Sequence, residues 1–323
     1  MAASISNRLD MTTPDKIQPD KIIELIEAFR RSKTMFAAVQ LGVFDGARPA
    51  DSKELPRLLD ACVALGLLQK LDGAYVNTPE ADKYLRSDSP DSLTGYIHYS
   101  NEALYPMWAH LEDAVREGTP RWKQTFGVEG GIWAGYFRTE ETKRNFLKGM
   151  HGFGRISSPA VAAAFDLSRF HRMIDLGGAS GHLVEAVRER YPAIQAQVFD
   201  LPEVAKLYPG TIAGDFFTDP LPQADLYSVG RILHDWSDEK IHRLLAKIYA
   251  ALPEGGGLLV AEKLLTPQYV SAHMQSMNML VNAEGRERSA AEYESLLRAA
   301  GFSKVESRVT GAYLDAVLAT KSR

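Results

Sequence analysis

Met173-Ile174-Asp175-Leu176-Gly177-Gly178-Ala179-Ser180-Gly181 is an apolar run that breaks into glycines and opens onto a helix-like stretch. Strand, glycine turn and helix in that order mark the edge of an open α/β sheet, where nucleotide-like ligands bind. The spacing excludes the dinucleotide fingerprint G-x-G-x-x-G. Counted from Gly177 the later positions hold Ala179 and His182, and counted from Gly178 the second holds Ser180. Asp175 adds an electrostatic argument, because a carboxylate beside the turn repels a pyrophosphate and favours a ligand carrying positive charge.

Downstream, apolar strands at 196–199, 226–232 and 257–265 alternate with helical stretches, the pattern of a parallel sheet covered on both faces. Residues 240–252 carry Ile241, Leu244, Leu245 and Ile248 at helical spacing and stop before Pro253. Ser289 and Glu292 form a capping box ahead of a helix that ends near Gly301, and 305–309 and 312–319 read as closing strands. Asp200 falls at the end of the strand after the turn, where an acid can accept from a ribose diol; capping its own loop is the alternative. Gly214-Asp215-Phe216-Phe217 offers a carboxylate for an adenine amino group and a ring to stack on its face, against a role as plain core. With Asp175, these features predict a site for S-adenosylmethionine.

Arg231-Ile232-Leu233-His234-Asp235-Trp236-Ser237 lies at the carboxyl end of a strand, just before a helix start marked by Ser237 and the acids after it. A lone histidine is more often structural. A hydroxyl of phenolic pKa, about 10, must nevertheless lose its proton to attack a methyl group, and a neutral imidazole can take it. His234 is the candidate base, and Glu262 and Glu287 are the carboxylates expected to orient it and stabilise its charged form. For Glu287 the competing partners are Arg286 and Arg288. No histidine and carboxylate cluster has the spacing of a metal site, so no metal is expected.

The first half has a different character. The first dozen residues are patternless, and 15–20 reads as the run-in to a helix with Ile22, Ile23, Leu25, Ile26 and Phe29 at helical spacing, continued by Met35, Phe36 and Val39. This apolar face suits packing in a dimer. A second helix over 54–65 stops at Gly66, and 67–77 alternates around Asp72-Gly73, a type I′ hairpin signal, giving helix then wing. Residues 101–165 are rich in aromatic and helical signals. The division is expected at 1–165, helical and winged-helix-like, and 166–323, catalytic.

With 323 residues and 45% hydrophobic content the chain can bury two cores. A net charge of −4 argues against generic nucleic-acid or anionic-membrane binding. One cysteine, Cys62, cannot form an internal disulfide, and no apolar run follows a basic start, so a cytoplasmic protein is expected.

Together, 175–181, Asp200-Leu201-Pro202, Gly214-Asp215-Phe216-Phe217, His234-Asp235-Trp236 and Gly285-Arg286-Glu287-Arg288 resemble the acetylserotonin O-methyltransferase family. The likeness covers most of the chain, including 164–170 and 274–280, and is closest to the acetylserotonin O-methyltransferase-like group. It implies an α/β fold: a Rossmann-like class I methyltransferase domain with a mostly parallel seven-stranded sheet, behind an N-terminal helical winged-helix-like dimerisation domain. It also implies transfer from S-adenosyl-L-methionine, leaving S-adenosyl-L-homocysteine, to a hydroxyl of a small aromatic acceptor. In the family, positions matching Phe137, Asp200, Asp215, Phe216 and Arg231 contact the cofactor, with Asp175, Gly177, Leu201 and Gly214 expected beside them. The position matching His234 is the base, and those matching Asp235, Asn278 and Asn282 line the substrate pocket. Trp108, Phe146, Met150 and Met274 are expected to shape that pocket, or else to be core.

There are departures. Phe137 replaces a tyrosine, Asn282 replaces a glutamine one methylene longer, and Ala179 stands for a glycine, which predicts a tighter turn or weaker cofactor affinity. The chain is shorter than its relatives between Phe44 and Leu55 and between Val204 and Gly214. Two other readings compete. A winged-helix regulator sensing an adenosyl ligand would need a basic recognition helix, yet the 54–65 helix carries Glu54 and Asp60 against Arg57. A catalytically silent binding domain is suggested by Ala179 and the trimmed loops, and opposed by His234, Glu262 and Glu287.

Overall fold

Helix Asp20–Gln40 leads the N-terminal half of the computed structural model, which describes residues 19–46 and 52–322. The expected frayed start, and part of the shortening after Phe44, lie outside the described residues. Helix Leu55–Ala64 packs Leu59 and Cys62 inward and ends where Gly66 takes a φ of +75°. The hairpin follows as β1 (Leu68–Leu71) and β2 (Ala74–Asn77), with both Asp72 and Gly73 at positive φ, as a type I′ turn requires. Short helices between Pro79 and Gly135 then give way to the long Glu140–Ala163 helix, which is opened by a Thr139/Thr142 capping box.

The second half is built on seven strands: β3 (Arg172–Leu176), β4 (Gln195–Asp200), β5 (Ile212–Ala213), β6 (Leu226–Gly230), β7 (Gly257–Glu262), β8 (Lys304–Arg308) and β9 (Asp315–Thr320). Their order is β5-β4-β3-β6-β7-β9-β8, and β9 alone runs against its neighbours. Alternate strand residues face two cores. Ile174, Leu176, Tyr227 and Val229 join Ile241, Leu244, Leu245 and Ile248 of helix Asp238–Ala251 on one face, while Met173, Leu226 and Leu259 join Leu183, Val184 and Val187 of helix His182–Arg190 on the other. Each such buried aliphatic contributes roughly 1.5–3 kcal/mol of transfer free energy.

Several limits differ from expectation for identifiable reasons. The 226–232 strand stops at Gly230 because Arg231 turns left-handed, with φ +55°. The 257–265 strand stops at Glu262, leaving only a bridge from Leu264 to Arg288. The last strand starts at Asp315, because Gly311 (φ +73°) and hydrogen bonds within 310–315 shape a turn first. Connection order reverses between β3, which leads outward to β4 and β5, and β6, which leads to β7. The crevice at their carboxyl ends is the switch point where such sheets bind ligands.

Candidate active site

The glycine turn leaves β3 into this crevice. Gly177 sits at φ +72°, and a Cβ there would come within 2.6 Å of Ile232 Cδ1 and 3.5 Å of the Phe216 ring, so side chains close down directly on the backbone. Ala179 also adopts a left-handed φ of +46°, which costs an L-residue on the order of 1–2 kcal/mol. Its N–H donates to Asp200 Oδ2 at 2.8 Å, and the Leu201 N–H donates to Oδ1 at 2.7 Å, so the acid at the end of β4 holds the turn in place. Asp175 lies beneath the turn and accepts from the Ser228 hydroxyl at 2.6 Å. Burial pushes its carboxyl up to about 7, against the Ser228 bond and with a smaller push from Asp200. A cation above the turn would favour its ionised form.

On the adenosine side, Gly214 packs on the Phe199 ring, Asp215 accepts from the Phe217 N–H at 2.7 Å, and the Phe216 and Phe217 rings meet edge to face. Arg231 closes the opposite end. Its guanidinium lies 5.0 Å from the Phe153 ring centre, and Nε and Nη2 are buried with no hydrogen-bond partner. A buried guanidinium without an acceptor demands an anion. The donor set therefore fits S-adenosylmethionine, with acids for the ribose and adenine, a close-approach turn, and a cation for the amino-acid carboxylate.

His234 sits in a single 3-10 turn, Leu233–Asp235, after β6. Nδ1 donates to Glu287 Oε1 at 2.7 Å, and Glu262 Oε2 lies 3.2 Å away. Glu262 Oε1 accepts from the N–H groups of Ile232 and Leu233, fixing the turn that carries the imidazole. Nε2 faces Asp235 at 3.7 Å, whose side chain is 42% accessible. Burial alone would lower the imidazole pKa, but Glu262, Glu287 and Asp235 outweigh it and raise it above the ordinary value. Burial pushes the Glu262 carboxyl up, opposed by His234.

Glu287 does not pair with its neighbouring arginines. Arg286 binds Glu292 at 2.7 Å, and buried Arg288 binds Asp238 at 2.6 Å and the carbonyl of Leu233. The expectation that no metal-type cluster exists needs correction: sequence spacing hides that donor atoms of His234, Glu262 and Glu287 all lie within 4.8 Å of one another. Here the imidazolium charge already complements the two carboxylates.

The other predicted residues fall into two groups. Asn278, on helix Val270–Asn282, accepts from Trp108 Nε1 at 3.0 Å, and Asn282 accepts from the Tyr99 hydroxyl at 2.8 Å, which ties that helix to the N-terminal half. Phe137 and Phe146 stack edge to face at 5.1 Å, Phe146 also meets Tyr99, and Met150 lies one turn further along the same helix. Met274 is half exposed. Unanticipated are Ser228, Arg288 and two pairs joining the long helix to the turn region, His151 with Ser180 and His182 with Ser158, each at 2.8 Å. Ser228 was legible as the lone polar residue of an apolar strand.

A doubly wound sheet with this turn, these acids at successive strand ends and a carboxylate-backed histidine defines a class I methyltransferase. Residues 108–303 match the O-methyltransferase domain model. The chain is 38% identical to chicken (Gallus gallus) acetylserotonin O-methyltransferase, covering 96% of this chain and 99% of that protein. It is 40% identical over 94% of its length to a human probable bifunctional dTTP/UTP pyrophosphatase/methyltransferase protein, of which it spans only 54%. The structure of human N-acetylserotonin methyltransferase in complex with SAM superposes with a TM-score of 0.89 at 36% identity, covering 97% of this chain and 100% of that one. The chain belongs to the O-methyltransferase family and is an S-adenosylmethionine-dependent O-methyltransferase.

Proposed function

We propose that the enzyme methylates a hydroxyl of a small phenol or hydroxyindole, with His234 as general base. The observation that carries this reading is the one-sided bonding of His234: Nδ1–H is held by Glu287, so Nε2 presents its lone pair toward the accessible side, near Asp235. Bound S-adenosylmethionine supplies an electrophilic methyl group on a sulfonium. Nε2 takes the hydroxyl proton as the acceptor oxygen attacks, and Glu262 and Glu287 stabilise the imidazolium that forms. The raised imidazole pKa narrows the gap to a phenol near 10, so the transfer runs with little uphill cost.

Asp200, Leu201, Gly214, Asp215 and Phe216 are assigned to the adenosine, Asp175, Gly177 and Arg231 to the amino-acid end, and Phe137 to the wall beside them. Asp235, Asn278, Asn282, Trp108, Phe146 and Met150 are assigned to the acceptor pocket. Both asparagine oxygens are committed to aromatic donors of the N-terminal half, which leaves their N–H groups to meet acceptor atoms of the substrate. The domains are assigned as 1–165 and 166–323, the working form as a homodimer, and the compartment as the cytoplasm. Among the described residues, no helix is long and apolar enough to cross a membrane.

The test is mass-spectrometric detection of methyl transfer to a panel of phenols and hydroxyindoles, N-acetylserotonin among them. His234→Ala is expected to lower turnover by about 10²-fold or more. Unchanged turnover removes His234 from the mechanism.

A further inference from the structure

Lys263 follows Glu262 at the carboxyl edge of β7, and its side chain points to the other side of the strand. It is 5% exposed, and its ammonium lies 4.3 Å from the centre of the Tyr313 ring. Among the described residues it makes no ion pair and no hydrogen bond. The nearby carboxylates are committed elsewhere: Asp315 accepts from the N–H groups of Leu264 and Thr310, and Glu287 holds His234. Arg231, itself short of acceptors, lies 6.0 Å from the same Tyr313 ring. Tyr313 packs on Phe153, and Phe153 packs on Tyr96, whose hydroxyl feels both Arg231 and Asp235. A continuous wall thus runs from the base to two cations whose charges the protein does not balance.

We infer that Lys263, beside Arg231, is a specificity residue that recognises a carboxylate on the aromatic acceptor. The inference rests on the methyltransferase reading and narrows its substrate class. A cofactor carries one carboxylate, which answers the orphaned nitrogens of Arg231; the second cation requires a second anion. Burial lowers the Lys263 amine to about 8 with help from Arg231, so a bound carboxylate restores its full charge where an uncharged acceptor leaves it strained.

The test compares two ligands with the same hydroxyindole ring, 5-hydroxyindole-3-acetate and neutral N-acetylserotonin, by calorimetric binding to protein saturated with SAH. The acid is expected to bind at least tenfold more tightly to the unmodified protein. Lys263→Met should abolish this preference and leave SAH affinity unchanged, and Lys263→Arg should keep it. Equal or weaker binding of the acid by the unmodified protein, or failure to bind either ligand, overturns the proposal without recourse to a variant. So does a preference that survives in Lys263→Met, or a loss of SAH affinity in its place, which would assign Lys263 to the cofactor. If Lys263→Met does not fold, Lys263→Gln serves the same comparison. Methyl transfer to neutral phenols, measured on the same preparation, reports separately on the enzymatic reading.

Discussion

At the scale of single residues the chemistry turns on who owns the proton of His234. Glu287 and Glu262 both face Nδ1, and together with Asp235 they overcome the desolvation that would otherwise favour neutral imidazole. The base-competent form is the neutral one, so the rate should climb as pH rises through the imidazole pKa in the bound complex. Replacing Glu287 with glutamine keeps an acceptor for Nδ1–H and removes a negative charge. The imidazole pKa then falls, and the ascending limb of kcat/KM against pH should move to lower pH by roughly one to three units. The plateau rate should also drop, since the imidazolium loses a stabilising anion. An ascending limb that stays where it was in Glu287→Gln would show that another group sets the profile. The same linkage bears on stability. Because the folded pKa lies above the ordinary value, the ion cluster's contribution is complete below about 6.5 and is lost as pH rises through the folded-state value.

At the scale of elements, the loop from Glu284 to Arg288 delivers Glu287 and is pressed against the histidine turn. A Cβ at Gly285 would lie 2.3 Å from the carbonyl oxygen of His234 and 2.7 Å from both the nitrogen and the oxygen of Trp236. All three atoms are backbone, so nothing flexible can give way. Gly285→Ala should push the loop outward, lengthen the His234 to Glu287 contact, lower kcat at least tenfold and cost about 1–3 kcal/mol of stability. Thermal unfolding and steady-state rates measure both, and a variant with unchanged rate and melting temperature would contradict the close packing. The loop also shows what was legible. Strand Arg172–Leu176, the type I′ hairpin and the Ser289 capping box follow from local patterns, and the structure has them at the expected positions. The convergence of His234, Glu262 and Glu287 follows from strand order, which pattern alone does not supply. Helix Val270–Asn282 was illegible because it has no side-chain N-cap, and because its apolar residues are divided between Met279 and Val281, which are buried, and Val270 and Met274, which are exposed. The two-residue β5 is too short to carry any period.

At the scale of the whole molecule, one surface has no partner within the chain. Helix Asp20–Gln40 buries only Ala38 and Val39, near its end, while Ile22, Ile23, Leu25, Ile26 and Phe29 are between 48% and 60% exposed. Five large apolar side chains on two adjoining turns, flanked by the ion pairs Lys21–Glu24 and Arg30–Glu27, make a hydrophobic patch with a charged border. Monomeric proteins rarely leave such a patch in water. A two-fold axis lets one helix cover its own copy with the same surface, which requires no complementary patch elsewhere. Placing glutamates at Ile26 and Phe29 would set four charges into that contact, each desolvated and facing its like. The unmodified protein is expected to run as a dimer by light scattering at micromolar concentration, and the Ile26→Glu/Phe29→Glu variant as a monomer. The catalytic half touches none of these residues, so its fold should persist, read out as retained SAH binding. A monomeric unmodified protein, or a variant that stays dimeric, would mean that this face is covered by something other than a second copy.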